Sequence, residues 1–280
     1  MKRFISHMPV WIKICCLVFI LISLAALLAN VLTPYDPNAN SLTERNLPPV
    51  FMGGTMAHIF GTDELGRDIF SRILYGTRVS LGMTMFGIII GGSIGVLLGL
   101  SAGYLGGIWD RIVMALIDFQ QSVPVALLIM LGVVVFGRSI PVLMCFIGLA
   151  KWEYYAKFTR STVLGIKDKQ FVEAAKSYHA GGLRIVFKYI FPNVLPSLIV
   201  AIALSFPSVL MLESSLTFIG IGVQPPTATL GQMVGTGRNY LVVKPWLALV
   251  PAAVIVILSY CVQQIGEWLR DEMDIRLLKD

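Results

Sequence analysis

The stretch GMTMFGIIIGGSIGVLLGLSA, residues 82–102, contains no charged side chain. An α-helix rises 1.5 Å per residue, so a run of at least ~18 apolar residues crosses the ~30 Å hydrocarbon core of a bilayer. Residues 14–32 form a second uncharged run, and charged residues make up only 14% of the 280-residue chain. A soluble domain carries about 25%. We therefore predict an all-α fold that is integral to a membrane.

Six transmembrane helices are predicted from the apolar runs. They lie at about 10–32, 80–104, 112–135, 139–158, 193–213 and 246–265. The first run is longer than the roughly 7–15 apolar residues of a signal peptide, so we interpret it as a retained helix. The chain then divides into a first segment with its helix (1–33), an outer segment with an amphipathic helix near residues 68–75 (34–79) and a membrane core (80–280).

Basic residues between the apolar runs set the predicted orientation. Residues 151–190 carry eight Lys and Arg side chains against three acidic ones. Loops with this excess of Lys and Arg stay in the cytoplasm. Six spans then place both termini in the cytoplasm and residues 33–79 and 214–245 outside. The basic residues near the termini agree with this orientation: Lys2, Arg3, Lys13, Arg270, Arg276 and Lys279.

Five glycines in the second predicted span recur every four residues: Gly87, Gly91, Gly95, Gly99 and Gly103. Glycines at this spacing form one inclined ridge, on which the backbone of another helix can approach closely. Because the pattern consists of small residues rather than reactive ones, we interpret it as a helix-packing surface. We call these five residues the glycine ladder.

Motifs for chemistry are missing from the sequence. It has no G-x-x-x-x-G-K-[ST] to hold nucleotide phosphates, no H-E-x-x-H and no G-x-S-x-G. The four cysteines lie in apolar runs without metal-ligand spacing. We therefore predict no catalytic residue, no metal site and no cofactor bound by this chain. The net charge of +6 lies between the spans rather than on a basic-aromatic surface, so no nucleic-acid partner is predicted.

The loop 151–192 is too long for a simple connector and is predicted to be helical. Its Glu173-Ala174-Ala175 segment favours a helix, and Gly181-Gly182 offers a turn. The apolar residues after the turn recur at helical spacing up to Pro192. Two short helices joined by a turn form a compact knob, which is shaped to fit a groove in a partner.

This loop resembles the "EAA" loop of ABC-importer permeases, the element that docks on the ATPase subunit. Glu173 begins the motif, and Pro192 closes it. Two positions depart from the family pattern: His179 replaces a glycine, and Phe191 replaces the leucine before the proline. The resemblance implies that the residues contacting the ATPase are Glu173, Ala174, Ala175, His179, Ala180, Gly181, Gly182 and Pro192.

Residues 58–81 resemble the opening of the second permease, the C-type subunit, of dipeptide, oligopeptide and nickel importers. Residues 216–227 and the Leu269-Arg270-Asp271 tail resemble the same family. The resemblance implies a subunit of the bacterial inner membrane, surrounded by lipid, that forms half of a pathway for di- and oligopeptides. Its implied partners are a homologous second permease, two cytoplasmic ATPases that bind the ATP, and an extracytoplasmic solute-binding protein. Nickel or other metal chelates, haem and glutathione-like peptides are alternative cargoes, and an ATP-independent channel is an alternative mechanism.

Four charged residues of the outer motif can form a salt-bridged lid or contact the solute directly: Asp63, Arg67, Asp68 and Arg72. Asp118 falls inside a predicted span, where an ionisable group is costly. It can line the pathway or clamp two helices, with Arg111, seven residues earlier on the same helix face, as its partner. The candidates for the pathway and its gate are Asp118, Gln121, Glu213, Phe218 and Gln224.

Overall fold

The computed structural model describes residues 8–277, with side chains up to residue 273. The described part is built of helices, with one isolated bridge between Thr62 and Asp68. The longer helices are α1 (Val10–Leu27), α2 (Ile69–Leu105), α3 (Gly107–Ser122), α4 (Val125–Phe136), α5 (Ile140–Leu149), α6 (Trp152–Ile166), α7 (Gln170–Ser177), α8 (Phe191–Phe218), α9 (Leu230–Gly237) and α10 (Trp246–Leu277). Four residues used to predict the orientation, Lys2, Arg3, Arg276 and Lys279, have side chains outside the described part.

The all-α membrane fold is confirmed. Four helices are long and apolar enough to cross a bilayer: Val10–Leu27, Ile69–Leu105, Gly182–Phe218 and Trp246–Met273. The predicted span at 112–135 corresponds to α3 and α4, which together pass the same test as a pair bent by 89°. The predicted span at 139–158 falls on α5 and α6, which are separate helices. The six predicted spans thus become four continuous helices, one bent pair and one interrupted segment.

The bend between α3 and α4 has a direct cause in the sequence. Pro124 has no N–H to continue the helical hydrogen bonds, and its ring disfavours the helical conformation at the residue before it. Val123 accordingly has extended dihedrals, φ −104° and ψ 129°. Pro124 therefore ends α3 and bends the chain into α4.

Two helices are longer than predicted. The amphipathic helix expected near residues 68–75 is not separate but forms the first turns of α2, which continues to Leu105. No proline lies between residues 69 and 105, and single glycines such as Gly76 cost a helix only about 1 kcal/mol each. The second helix of the knob likewise continues from Gly182 through residue 218 into the fifth predicted span.

The chain forms two compact units. Among the described residues, the first contains those up to Met85 together with Val133–Leu143 and Phe206–Ile265. The second contains Phe86–Gly132, Met144–Ser205 and the residues from Gly266 onward. The predicted outer segments therefore belong to the first unit, and the 151–192 loop belongs to the second.

The glycine ladder packs closely on α5, α6 and the residues between them. Its neighbours are Ile147 for Gly87, Gly148 for Gly91, Trp152 for Gly95, Ala156 for Gly99 and Val163 for Gly103. A Cβ atom added at Gly99 would lie 2.5 Å from the carbonyl oxygen of Ala156. The helix-packing interpretation of the ladder is therefore confirmed, because side chains larger than hydrogen would collide with the facing backbone.

Candidate functional site

One face of α7 is anchored in the second unit and the other is open. Val172 and Ala175 are buried in an apolar cluster that includes Leu100 of α2. Glu173 and Ala174 lie on the exposed face of the same helix. The Glu173-Ala174-Ala175 segment is thus held rigidly by its third residue while the first two remain available to a partner.

His179 ends α7 in the left-handed conformation, with φ 53°. The backbone N–H of Ala180 donates to the carbonyl of Ala175 at 3.2 Å, which is the hydrogen bond of a Schellman cap. Gly181, by contrast, has an ordinary φ of −60°. The expectation that Gly181 and Gly182 form the turn is therefore wrong: His179 occupies the left-handed position, where the pattern that the loop resembles has glycine.

Replacing His179 with glycine is expected to stabilise the protein. A non-glycine residue in the left-handed region costs about 1–2 kcal/mol, and the greater freedom of glycine in the unfolded chain returns part of that. We expect a net gain of up to ~1 kcal/mol, measured as a higher thermal midpoint of the detergent-purified protein. Tyr178→Gly is the matched control because Tyr178 has φ −80°. Equal shifts for the two variants would contradict strain at His179.

The residues before Pro192 form a π-helix, which is wider than an α-helix. Residues Ile185–Ile190 are π-helical and lead directly into α8, where Pro192 is the second residue. Proline lacks the N–H that would bond to the preceding turn, and a π-helical bulge is one way to accommodate this. Pro192 is exposed at the start of α8 rather than at the end of a separate knob helix.

The outer motif forms a buried ion-pair network in the first unit. Asp63 accepts hydrogen bonds from the backbone N–H groups of Leu65 at 2.9 Å and Arg67 at 3.0 Å. The Nε of Arg67 donates to Asp63 Oδ2 at 2.7 Å. Both oxygens of this carboxylate are therefore used to fold the loop 63–67 back on itself.

Asp68 and Arg72 extend this network across the unit. Asp68 accepts from the backbone N–H of Ser71 at 2.7 Å, as an N-terminal cap of α2, and lies 2.9 Å from Nδ1 of His58. Arg72 is almost fully buried and donates to the carbonyl of Pro37 at 2.9 Å. The structure thus brings the motif together as internal bonds, an arrangement that matches the salt-bridged lid.

Arg72 also reaches a residue far along the chain. Its Nη2 donates to Oε1 of Gln232 in α9 at 3.2 Å, and Nε lies 3.5 Å from Asp63 Oδ2. Gln232 is buried and is separated from Arg72 by 160 positions. Nothing in the sequence pattern identified Gln232 or His58 as members of this network.

Asp118 and Gln121 lie near the end of α3, in the second unit, and both are exposed. Gln121 donates from Nε2 to Glu153 Oε2 at 3.2 Å and accepts from Lys157 Nζ at 3.4 Å. Among the described residues, no ion pair joins Asp118 to Arg111. The ion pair of this region is instead formed by Asp110, whose carboxylate binds Arg160 at 2.6 Å through Nη2.

Gln120 bridges the end of α3 to the break between α5 and α6. Its Nε2 donates to the carbonyl of Leu149 at 3.0 Å, and its Oε1 accepts from the indole of Trp152. Leu149 ends α5, where backbone carbonyls lack helical partners. The polar side chain of Gln120 therefore satisfies the carbonyl end of α5.

Glu213 of α8 is buried in the first unit, at 1% exposure. Its carboxylate is surrounded by hydroxyls: Ser214 and Thr217 each donate at 3.2 Å, and Ser80 forms a further hydrogen bond. Ser80 Oγ also accepts from the backbone N–H of Leu230, the first residue of α9, at 3.2 Å. Glu213 thus joins α2, α8 and α9 and does not lie on an open surface.

Phe218 and Gln224 lie around the chain reversal that follows α8. The guanidinium of Arg238 is 5.0 Å from the centre of the Phe218 ring, a cation–π contact. Gln224 donates from Nε2 to the carbonyls of Gly220 at 3.0 Å and Gly222 at 2.9 Å. Both side chains thus brace the reversal between α8 and α9.

The five pathway candidates do not form one cluster within a unit. Asp118 and Gln121 belong to the second unit, whereas Glu213, Phe218 and Gln224 belong to the first. Within residues 8–277, no group of three or more His, Cys, Asp or Glu side chains is arranged to hold a metal ion.

Two family comparisons cover most of the chain. Residues 95–274 match the family described as "Binding-protein-dependent transport system inner membrane component". Residues 1–49 match the "N-terminal TM domain of oligopeptide transport permease C".

Several relatives are similar to this chain over nearly its whole length. The dipeptide transport system permease protein DppC of Haemophilus influenzae is 36% identical over 263 residues, covering 93% of this chain and 89% of that protein. The probable D,D-dipeptide transport system permease protein DdpC of Escherichia coli is 36% identical, with coverages of 92% and 85%. The nickel transport system permease protein NikC of Escherichia coli is 32% identical, with coverages of 96% and 95%.

Solved structures share the fold at lower identity. A chain of the MetNI methionine ABC transporter, in an inward-facing conformation, matches with a TM-score of 0.59 and 22% identity, covering 71% of this chain and 95% of that chain. A chain of an amino acid ABC transporter crystallised with histidines matches with a TM-score of 0.56 and 16% identity, covering 72% and 94%.

Proposed function

Because the chain belongs to the family of binding-protein-dependent transport system inner membrane components and is a permease subunit of an ABC importer, we propose that it forms half of the translocation pathway for di- and oligopeptides. It is a multi-pass membrane subunit and not an enzyme. The observation that supports peptides as the cargo is the 36% identity, over 93% of the chain, to a dipeptide permease.

The 151–192 loop is proposed to couple this subunit to ATP hydrolysis. Support comes from α7, where buried Ala175 fixes the helix and exposed Glu173 and Ala174 face away from the unit. The sequence has no phosphate-binding loop of its own. ATP is therefore bound and hydrolysed by two partner ATPases in the cytoplasm, on the side of the membrane that also holds both termini of this chain.

A second permease and an extracytoplasmic solute-binding protein complete the proposed importer. The outer network around Asp63 and Arg72 is internally satisfied, which supports a rigid lid that meets the binding protein with its surface rather than with these charges. Asp118 is exposed near the end of α3, which passes the length and hydropathy test for a membrane span only together with α4. Lipid is a poor environment for a carboxylate, so Asp118 is assigned to the water-filled pathway.

Nickel or another metal chelate is the second candidate cargo. It is favoured by the 32% identity to a nickel permease, which covers 96% of this chain. Peptide and nickel permeases share the same family, so the fold alone does not distinguish the two cargoes.

Uptake by the purified complex, reconstituted in vesicles with its binding protein, tests the cargo. We expect a labelled dipeptide to accumulate only with ATP on the ATPase side, and an excess of unlabelled dipeptide to compete. A nickel chelate should not compete. Accumulation of nickel without accumulation of dipeptide would overturn the peptide proposal and leave the importer itself intact.

A further inference from the structure

A crevice of about 290 Å³ lies between α1, α2 and α8 in the first unit. Its walls are apolar and include Phe19, Leu81 and Phe206, while Ser23 and Arg78 are the polar residues that line it. Only 17% of α1 is buried, so this helix presents most of its apolar surface to the membrane. The crevice therefore opens into an environment of lipid chains.

Arg78 lies at the level of the lipid headgroups. It precedes Leu100 of α2, which packs in one apolar cluster with Val172 of α7, by 22 positions, which correspond to ~33 Å along the helix. The hydrocarbon core is only ~30 Å thick. With α7 on the cytoplasmic side, as proposed, Leu100 lies near the inner interface and Arg78 near the headgroups of the outer leaflet, while Leu81 and Gly82 lie at the outer end of the hydrocarbon core.

The hydrogen-bonding neighbours of Arg78 fix the position of its side chain but do not neutralise its positive charge. Its Nη1 donates to Oδ1 of Asn30 at 3.2 Å, and the same oxygen accepts from the hydroxyl of Tyr75 at 2.8 Å. Asn30 is uncharged, and no ion pair joins Arg78 to a carboxylate in the part of the chain described. A guanidinium has five N–H donors, so most of the donors of Arg78 are left for a further acceptor.

We propose that this crevice binds an anionic phospholipid, with its phosphate on Arg78 and one acyl chain between α1, α2 and α8. Guanidinium groups recognise phosphate through charge-assisted hydrogen bonds. Basic side chains near the membrane surface attract anionic headgroups. The combination of an unneutralised arginine and an adjoining apolar crevice matches the two parts of a phospholipid, and the charge selects an anionic one.

Two substitutions test the two parts of the site separately. Arg78→Gln removes the charge. Gly82→Leu puts a larger side chain at the wall of the crevice. A Cβ at Gly82 meets no atom within 4 Å, and leucine favours a helix more than glycine does. Arg138→Gln is the matched control, since Arg138 is exposed, lies in the short loop between α4 and α5, and does not line the crevice.

The measurement is native mass spectrometry of the whole importer complex in mild detergent, with added phosphatidylglycerol or phosphatidylcholine. We expect phosphatidylglycerol to be retained in preference to phosphatidylcholine. Arg78→Gln should weaken its retention by about fivefold, the equivalent of the ~1 kcal/mol that one basic residue near the surface contributes. Gly82→Leu should weaken retention of both lipids, and Arg138→Gln should change neither.

Three results would overturn the proposal. Equal retention of the two lipids by the wild-type complex would remove the anionic selectivity. Equal losses for Arg78→Gln and Arg138→Gln would show that the attraction is not local to the crevice. Unchanged lipid retention with loss of the second permease in Arg78→Gln would show that a protein surface fills the crevice instead.

Discussion

Replacing Glu173 with lysine is expected to reduce ATP-driven uptake strongly while the protein still folds and inserts in the membrane. Glu173 is exposed, and its side chain forms no hydrogen bond with the described residues, so the fold does not need it. Removing one partner of a buried charge pair at an interface costs roughly 2–5 kcal/mol, and placing a like charge there costs several kcal/mol. Since ~1.4 kcal/mol is a factor of ten, uptake should fall at least about twentyfold.

Asp168→Lys is the matched control for Glu173→Lys. Asp168 is an exposed acidic residue of the same loop, outside the Glu173-Ala174-Ala175 segment. The charge change is identical, so a general electrostatic effect on the loop would reduce uptake in both variants. Normal uptake by Glu173→Lys, at normal protein abundance, would contradict the coupling role of α7.

Replacing Gly99 with leucine is expected to cause the largest loss of folded protein. A Cβ at this position would lie 2.5 Å from the carbonyl oxygen of Ala156 and 2.8 Å from Cβ of Thr159. Overpacking costs about 1–3 kcal/mol where side chains can adjust, and a facing backbone adjusts less. We expect a marked fall in the thermal midpoint and yield of the detergent-purified protein, measured by size-exclusion chromatography after heating.

The Gly92→Leu variant is the control that distinguishes a packing clash from an effect of leucine on helix propensity. Gly92 lies in α2 outside the glycine ladder, and a Cβ there would meet no atom within 4 Å. The same substitution should therefore be much less destabilising than Gly99→Leu, because its Cβ meets no facing backbone and leucine is the better helix former. Equal destabilisation by Gly92→Leu and Gly99→Leu would contradict the close approach of α2 and α6.

The packing and bending of single helices could be predicted from the sequence because each depends on local spacing or local chemistry. A repeat of four residues places glycines such as Gly95 and Gly99 on one ridge whatever helix they face. Pro124 bends its helix through its own ring and missing N–H. The identity of the facing residues, such as Ala156, could not be predicted, since it depends on how the helices assemble.

Contacts between residues that are far apart in the sequence could not be predicted from the sequence pattern. Asp110 pairs with Arg160 across 50 positions, whereas the pattern indicated Arg111 and Asp118, which share one helix. The position of the turn after α7 differs from the prediction for another reason. Glycine is the usual residue in the left-handed conformation, so the sequence favours Gly181 for this turn. The hydrogen bonds that close α7 instead require the left-handed conformation at His179.

The proposal that this chain is a subunit of an ATP-driven importer is tested most directly by the composition of its complex. The complex is purified in mild detergent through a tag on this chain. Mass spectrometry should identify a second permease and ATPase subunits with phosphate-binding loops, in near-equal amounts with this chain. Recovery of this chain alone, still folded and able to pass solute across vesicle membranes without ATP, would contradict the ATP-driven mechanism and favour a channel.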